Sequence, residues 1–164
     1  MISLCVHHLS ELSEMAHIVD DEEQKEIPAF VGALIRSAAR AQEEIQPHLA
    51  AEKVQYIFNV LPVTCSSTLI TLLPSFREIN QTGIDRLHRI LTVLKPAIVS
   101  LLREETAAER QKLFDHAQSY ISLLSLSTYD LIDSVRRSPA KFTVRELKAL
   151  LEIRVPGRAL LFYK

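Results

Sequence analysis

Residues 84–101 read IDRLHRILTVLKPAIVSL, and this stretch decides the fold class of the chain. Its apolar residues recur at steps of three or four positions and form one row: Ile84, Leu87, Leu91, Leu94, Ile98 and Leu101. The charged residues Asp85, Arg86 and Arg89 lie outside that row. Such spacing is typical of an amphipathic α-helix that buries one face. Pro96 lies within the pattern and predicts a kink, because proline cannot donate the helical backbone hydrogen bond.

The segments before this helix show the same period. Apolar residues recur at helical spacing over residues 2–19 and again over residues 28–45, with an acidic run between them. A third segment, residues 50–72, predicts a long helix. Pro62 within it predicts a bend near residues 58–59 rather than the end of the helix.

The most hydrophobic window of the chain, residues 54–73, also carries Gln55, Asn59, Pro62 and several hydroxyl groups. A membrane-spanning helix needs about twenty predominantly apolar residues. The polar interruptions favour a helix buried in protein over a membrane span.

Further along the chain, helix starts are marked by side chains that can cap. Thr106 followed by Glu109 has the spacing of a capping box and predicts that a helix opens there. Residues 127–130 predict another helix start, with Leu131 facing inward.

The last helix has the clearest local signature. Thr143 can cap it, Glu146 completes a capping box, and Phe142 can pack on Leu147 as a hydrophobic staple. The Pro-Gly pair at 156–157 is expected to end it.

Together these patterns predict an all-α fold of six to seven helices without a strand. The chain has only three glycines and no tryptophan among 164 residues, which suits helices better than a turn-rich β-sandwich. Because the connections are short, neighbouring helices are expected to run antiparallel, as a helical bundle or a stacked helical rod. The length suits one domain, so we predict a single helical domain over residues 1–164.

Cys5 and Cys65 stand among apolar residues and lack the spacing of a metal site. We expect buried thiols in a reducing compartment. The first twenty residues lack a basic start and are interrupted by Glu11 and Glu14, so no signal peptide is expected. These features predict a cytoplasmic protein.

No pattern in the sequence predicts catalysis. Three scattered glycines cannot form a phosphate-binding loop, and the six histidines show no metal-ligand spacing. Asp115 and His116 are adjacent, as are Glu43 and Glu44, but neighbouring residues on a helix diverge by about 100° and cannot converge on one substrate atom. We therefore predict no enzyme activity, no catalytic, metal-binding or cofactor-binding residue, no cofactor and no small-molecule substrate.

Charge is unevenly distributed, although the totals nearly cancel at 19 basic and 20 acidic residues. Residues 1–26 hold seven acids and one base, whereas residues 136–164 hold eight bases and two acids. The basic end supplies the candidate residues for contact with a partner or with acidic lipid: Arg136, Arg137, Lys141, Arg145 and Lys148. Each could add about 1 kcal/mol to binding of an anionic membrane surface. The alternative is a solvated helix end.

Part of the basic end also resembles a DNA-binding motif. Residues 142–152 are similar to the first helix of SAP-type helix-turn-helix modules. The second helix is missing, because Pro156 and Gly157 are followed by only seven residues. A nucleic-acid-binding module therefore remains an alternative, for which the sequence provides only half of the motif.

A family resemblance runs from Phe30 to Arg154. It is carried by residues on several predicted helices and the connections between them: Lys53-Val54-Gln55-Tyr56-Ile57-Phe58, Phe76-Arg77-Glu78-Ile79, Thr82-Gly83-Ile84, Tyr120-Ile121-Ser122-Leu123-Leu124, Asp130-Leu131-Ile132 and Phe142-Thr143-Val144-Arg145-Glu146-Leu147. In order and spacing they resemble the C-terminal region of the exocyst complex component 4 family. Pro62, Pro74 and Pro96 depart from the smoother helices expected there.

The resemblance implies a helical-rod scaffold without catalytic residues, and the C-terminal piece of a longer tethering subunit. Proteins of that family tether secretory vesicles to the plasma membrane before SNARE-mediated fusion, and they assemble with the other exocyst subunits. The resemblance therefore implies exocyst subunits as partners and a cytoplasmic location at the periphery of the plasma membrane and secretory vesicles. The alternative is a generic helical adaptor, because amphipathic stripes alone cannot distinguish the two.

Overall fold

The structure is a computed structural model, and it describes residues 7, 27–73, 79, 81–137 and 141–154. Within these residues it has no strand and seven α-helices: α1 Ala29–Ile45, α2 Ala51–Phe58, α3 Val60–Leu72, α4 Gln81–Val99, α5 Glu104–Ser122, α6 Thr128–Arg137 and α7 Val144–Arg154. A short 3-10 helix, Leu123–Ser125, follows α5. The predicted all-α bundle is confirmed. The helix predicted over 2–19, except for His7, lies outside the described residues, as do the acidic run and Cys5.

The apolar row on α4 lies in the core of the bundle. Five of its predicted members are buried, and a further isoleucine widens the row: Ile84, Leu87, Ile90, Leu91, Leu94 and Ile98. α4 packs against α1, α3 and α5, and α5 also packs along α3. Leu101, the last predicted member of the row, lies just beyond the end of α4 and is half-buried. The row therefore organises the bundle as the sequence predicts.

α2 and α3 follow each other directly, with a break at Asn59. Pro62 has no N–H with which to donate to the carbonyl of Phe58, so one helical hydrogen bond cannot form. α2 ends at Phe58 and α3 begins at Val60, so the interruption lies where the bend was predicted, but the single long helix predicted over 50–72 is two helices. Beyond the break, the hydroxyl of the buried Ser66 donates to the carbonyl of Pro62 at 2.7 Å.

The inner side of α3 belongs to the core. Leu61, Cys65 and Leu69 are each no more than 1% exposed. The inner side of the hydrophobic window around α3 is thus buried in protein, as predicted, whereas Tyr56 and Val63 on its outer side are exposed. Cys65 is a buried thiol, as expected for a small apolar side chain in a core.

Glutamine side chains fix the connection between α4 and α5 to two other helices. Gln42 of α1 donates a hydrogen bond to the carbonyl of Leu101 at 2.9 Å. The side-chain oxygen of Gln55, on α2, accepts the backbone N–H of Arg103 at 2.8 Å. These bonds satisfy backbone groups in a connection that no regular helix covers.

The prediction that a capping box of Thr106 and Glu109 opens α5 is wrong. The helix begins earlier, at Glu104, and Thr106 already lies inside it. The hydroxyl of Thr106 donates to the carbonyl of Arg103 at 3.2 Å. Gln55 accepts the Arg103 N–H, which is the bond that the last residue of a capping box would otherwise make. A distant side chain thus replaces the local cap.

The predicted start of α6 is confirmed. The hydroxyl of Ser127 accepts the backbone N–H of Asp130 at 3.1 Å and donates to its carboxylate at 2.6 Å. Leu131 is buried on the following turn, as predicted. The acidic side chain in the first turn also suits the positive end of the helix dipole.

Candidate functional site

The five basic residues that the sequence singles out are all exposed. Arg136 and Arg137 lie in the last turn of α6, and Arg137 forms an ion pair with Asp133 one turn earlier. Lys141 precedes α7, and its ammonium group lies 5.6 Å from the centre of the Phe142 ring. The remaining two, Arg145 and Lys148, lie on α7. Exposure leaves each of them able to contact a partner, and their role stays a prediction.

α7 has a basic outer side and an apolar inner side. Arg145 and Lys148 are three positions apart, which places them on the same side of a helix. Val144 begins the helix and is 75% exposed. Leu150 and Ile153 are buried on the inner side. The helix therefore attaches through its inner side and leaves the basic side to solvent.

The predicted capping box at the start of α7 is confirmed. The hydroxyl of Thr143 accepts the N–H of Glu146 at 3.2 Å, and the Glu146 carboxylate accepts the N–H of Thr143 at 2.6 Å. The hydroxyl of Thr143 also donates to that carboxylate at 2.8 Å. Both ends of the box are satisfied, so the start of the helix is well defined.

Glu146 also joins α7 to α5. Its second carboxylate oxygen lies 3.0 Å from Nε2 of His116, and its backbone carbonyl accepts the hydroxyl of Tyr120 at 2.8 Å. The ring of Phe142 lies 5.3 Å from the His116 ring and 6.0 Å from the Tyr120 ring, centre to centre. We call these residues, with Thr143, the α5–α7 junction.

Two pKa values in the junction depart from their ordinary range. Burial and the neighbouring charge of Glu146 raise the pKa of the Tyr120 hydroxyl well above its ordinary value, so Tyr120 remains a hydrogen-bond donor. Burial alone would raise the pKa of Glu146. The hydrogen bonds from His116 and Thr143, together with the charge of His116, outweigh burial and leave that pKa below its ordinary value. The junction therefore favours an ionised Glu146.

This junction was not predicted from the sequence, in which His116 stands next to Asp115 and the two are expected to diverge rather than form a catalytic pair. The structure confirms that they diverge, since Asp115 pairs with Lys95 of α4 and His116 contacts Glu146 of α7. The bond to Glu146 joins residues 30 positions apart. The sequence around Glu146 indicates its capping role, but it does not indicate that the second carboxylate oxygen contacts a residue on another helix.

A second exposed surface lies on the outer side of α2 and α3. Residues 54–73 contain no charged side chain. Their exposed members form what we call the uncharged face: Tyr56, Val63, Ser67 and Thr71. Tyr56 is 83% exposed and Val63 is 39% exposed. Glu52 and Lys53, exposed one turn before Tyr56, mark the edge of this face. An exposed aromatic beside an uncharged surface is typical of a protein-contact surface.

Among the described residues, no group of three or more histidine, cysteine, aspartate or glutamate side chains is placed to hold a metal ion. In the same part of the chain, no helix combines the length and apolar character needed to cross a membrane.

The known proteins to which the chain is similar are exocyst subunits. No family model matches the chain. It is 27% identical over 153 residues to exocyst complex component SEC8 of Arabidopsis thaliana, a match covering 93% of this chain and 14% of the plant protein. It is 26% identical over 144 residues to exocyst complex component 4 of Homo sapiens, covering 87% of this chain and 14% of the human protein. The chain is thus similar over most of its length to a short portion of these exocyst subunits, consistent with an exocyst-like C-terminal region.

Proposed function

We propose that the chain is a non-enzymatic helical scaffold of the exocyst, which tethers secretory vesicles to the plasma membrane before SNARE-mediated fusion. The observation that carries this proposal is the similarity to exocyst subunits over 93% of the chain. The helical bundle supports it, because amphipathic helices with exposed faces suit assembly with further helices. The chain spans about 14% of the length of these relatives, so it would supply one part of a larger scaffold.

The proposed partners are other exocyst subunits, and the proposed location is cytoplasmic, at the periphery of the plasma membrane and secretory vesicles. The uncharged face is the surface best suited to such partners. Protein interfaces are depleted of charge at their centre and enriched in tyrosine, and the uncharged face has no charged member and includes the exposed Tyr56. The basic end is a separate candidate surface, because its exposed residues are positively charged and suit an acidic partner or acidic lipid rather than an uncharged protein surface.

Co-purification tests the proposal. The tagged chain is expressed in cells, and the proteins that it recovers are identified by mass spectrometry. We expect other exocyst subunits, and we expect Tyr56→Ala to reduce their recovery about tenfold, as for a tyrosine that contributes much of the binding energy of an interface. Tyr129→Ala is the matched control, because Tyr129 is 81% exposed on α6, which does not belong to the uncharged face.

Three outcomes would count against this proposal or its details. Recovery of no exocyst subunit by the unchanged chain contradicts the tethering role and leaves the generic helical adaptor. If Tyr56→Ala and Tyr129→Ala reduce the recovery of exocyst subunits equally, the assignment of the uncharged face as the contact surface is contradicted. Salt-sensitive retardation of a short DNA duplex, without exocyst subunits, would favour the nucleic-acid alternative.

A further inference from the structure

We infer that the outer side of α7 is a contact surface for an anionic membrane, with Val144 as an apolar point among basic side chains. This α7 outer face comprises Lys141, Val144, Arg145 and Lys148. The inference rests on the proposed function, since a vesicle tether works beside a membrane. It goes further by choosing lipid as the occupant of the basic end and by adding Val144 to the contact.

The geometry of α7 places these side chains together. Val144 and Lys148 are one helical turn apart, and Arg145 lies between them in sequence and three positions before Lys148. All three are exposed, and Lys141 is exposed just before the helix begins. The opposite side of the helix is occupied by the buried Leu150 and Ile153, so the helix cannot turn this face inward without losing its core contacts.

Of the two acids of α7, Glu146 in the first turn does not neutralise this face. Glu152 lies four positions after Lys148, so Lys141, Arg145 and Lys148 exceed it by two positive charges. The side chain of Glu146 is largely buried, and its carboxylate is held by Thr143 and by His116 of α5. Its side chain is therefore committed to the inner side of the helix. The same bonds fix α7 on the bundle, so the basic residues are presented by a positioned helix.

The composition of the face favours lipid over a protein partner. A standard protein interface buries about 800 Å² on each partner around an apolar or aromatic centre. The α7 outer face offers one exposed valine and three charged side chains, which cannot supply such a centre. Binding to an anionic membrane does not require such an apolar centre. Basic side chains are attracted to the anionic lipid headgroups, and a small apolar side chain can enter the headgroup layer.

Vesicle co-sedimentation of the whole chain tests the inference. We expect binding to equimolar phosphatidylcholine and phosphatidylserine vesicles, no binding to pure phosphatidylcholine, and weaker binding as salt rises. Since each base contributes about a fivefold factor in partitioning, the double variant Arg145→Gln, Lys148→Gln should bind about 25-fold more weakly. Val144→Ser should weaken binding about threefold or more through loss of apolar contact.

The matched control removes the same charge elsewhere. Lys53 and Lys112 are exposed on α2 and α5, and the double variant Lys53→Gln, Lys112→Gln should bind nearly as well as the unchanged chain. Equal loss in both double variants would overturn the inference, because net charge would then explain binding. Absence of binding by the unchanged chain, or equal binding to neutral vesicles, would also overturn it.

Co-purification separates this inference from the scaffold proposal. The Arg145→Gln, Lys148→Gln variant should recover exocyst subunits as the unchanged chain does. If it instead loses a protein partner while vesicle binding stays unchanged, the face is a protein contact and the lipid assignment is wrong. If the chain binds anionic vesicles through α7 but recovers no exocyst subunit, the membrane contact holds and the tethering proposal fails.

Discussion

Glu146 makes both a local contact, within α7, and a long-range contact, with α5. Its first carboxylate oxygen closes the capping box with Thr143, and its second contacts His116 on α5. Local caps typically contribute about 1 kcal/mol, and hydrogen bonds to a charged group contribute about 1.5–3 kcal/mol. Because the carboxylate is largely buried, its bonds are less screened than those of a surface ion pair.

Glu146→Gln is therefore expected to lower the free energy of unfolding by about 1–3 kcal/mol near neutral pH. The pKa of Glu146 is lower in the folded chain than in the unfolded chain, so its contribution is present above the unfolded pKa. It is lost as pH falls through the folded pKa. The difference between the two proteins, measured by denaturant unfolding, should therefore shrink as the solution is made acidic.

Glu109→Gln is the control for that experiment, because Glu109 is exposed on α5. It should change stability by no more than about 0.5 kcal/mol. A difference between Glu146→Gln and the unchanged chain that stays constant across the acid range would contradict the role of the ionised carboxylate.

At the scale of the helices, local chemistry could be predicted and distant contacts could not. The α4 row, the break at Asn59 and the cap at Thr143 depend on residues a few positions apart. At the start of α5, the N–H of Arg103 is bound by Gln55, which lies 48 positions earlier. The capping-box spacing at Thr106 was misleading, because the helix begins at Glu104 and this distant side chain makes the bond that a local cap would make.

The same limit applies to the candidate site. The basic residues of the last two helices are visible as charge in the sequence, and the structure places them at the surface. The sequence could not show that Glu146 turns away from that charge, since its partner His116 belongs to another helix. Nor did it single out Val144, whose exposure depends on which side of α7 is packed.

Leu91→Ala tests whether the α4 row is core or interface. Leu91 is 2% exposed within the described bundle, so its removal should lower the free energy of unfolding by about 2–5 kcal/mol. Thr92→Ala, on the exposed side of the same turn, should cost no more than about 0.5 kcal/mol. A loss under about 1 kcal/mol for Leu91→Ala, with weaker partner binding, would show that this row faces a partner.

At the scale of the molecule, burial is unevenly shared among the helices that the structure describes. α4 contributes six buried side chains, and α5 contributes Phe114, Ala117, Tyr120 and Ile121. α6 contributes only Leu131. α7 adds Leu150 and Ile153 and depends on the α5–α7 junction for its polar attachment. The α6–α7 end therefore has less apolar contact to hold it than the α4–α5 centre.

This difference predicts a gradient of amide hydrogen exchange, because segments with few buried contacts open locally at lower cost. We expect faster exchange in α6 than in α4, with α7 between them. Glu146→Gln should accelerate exchange in α7 and leave α4 unchanged, whereas Glu109→Gln should change neither. Equal protection in all three helices would mean that the bundle opens only as one unit. The basic end would then be as rigid as the core, and membrane contact at α7 would not depend on the junction.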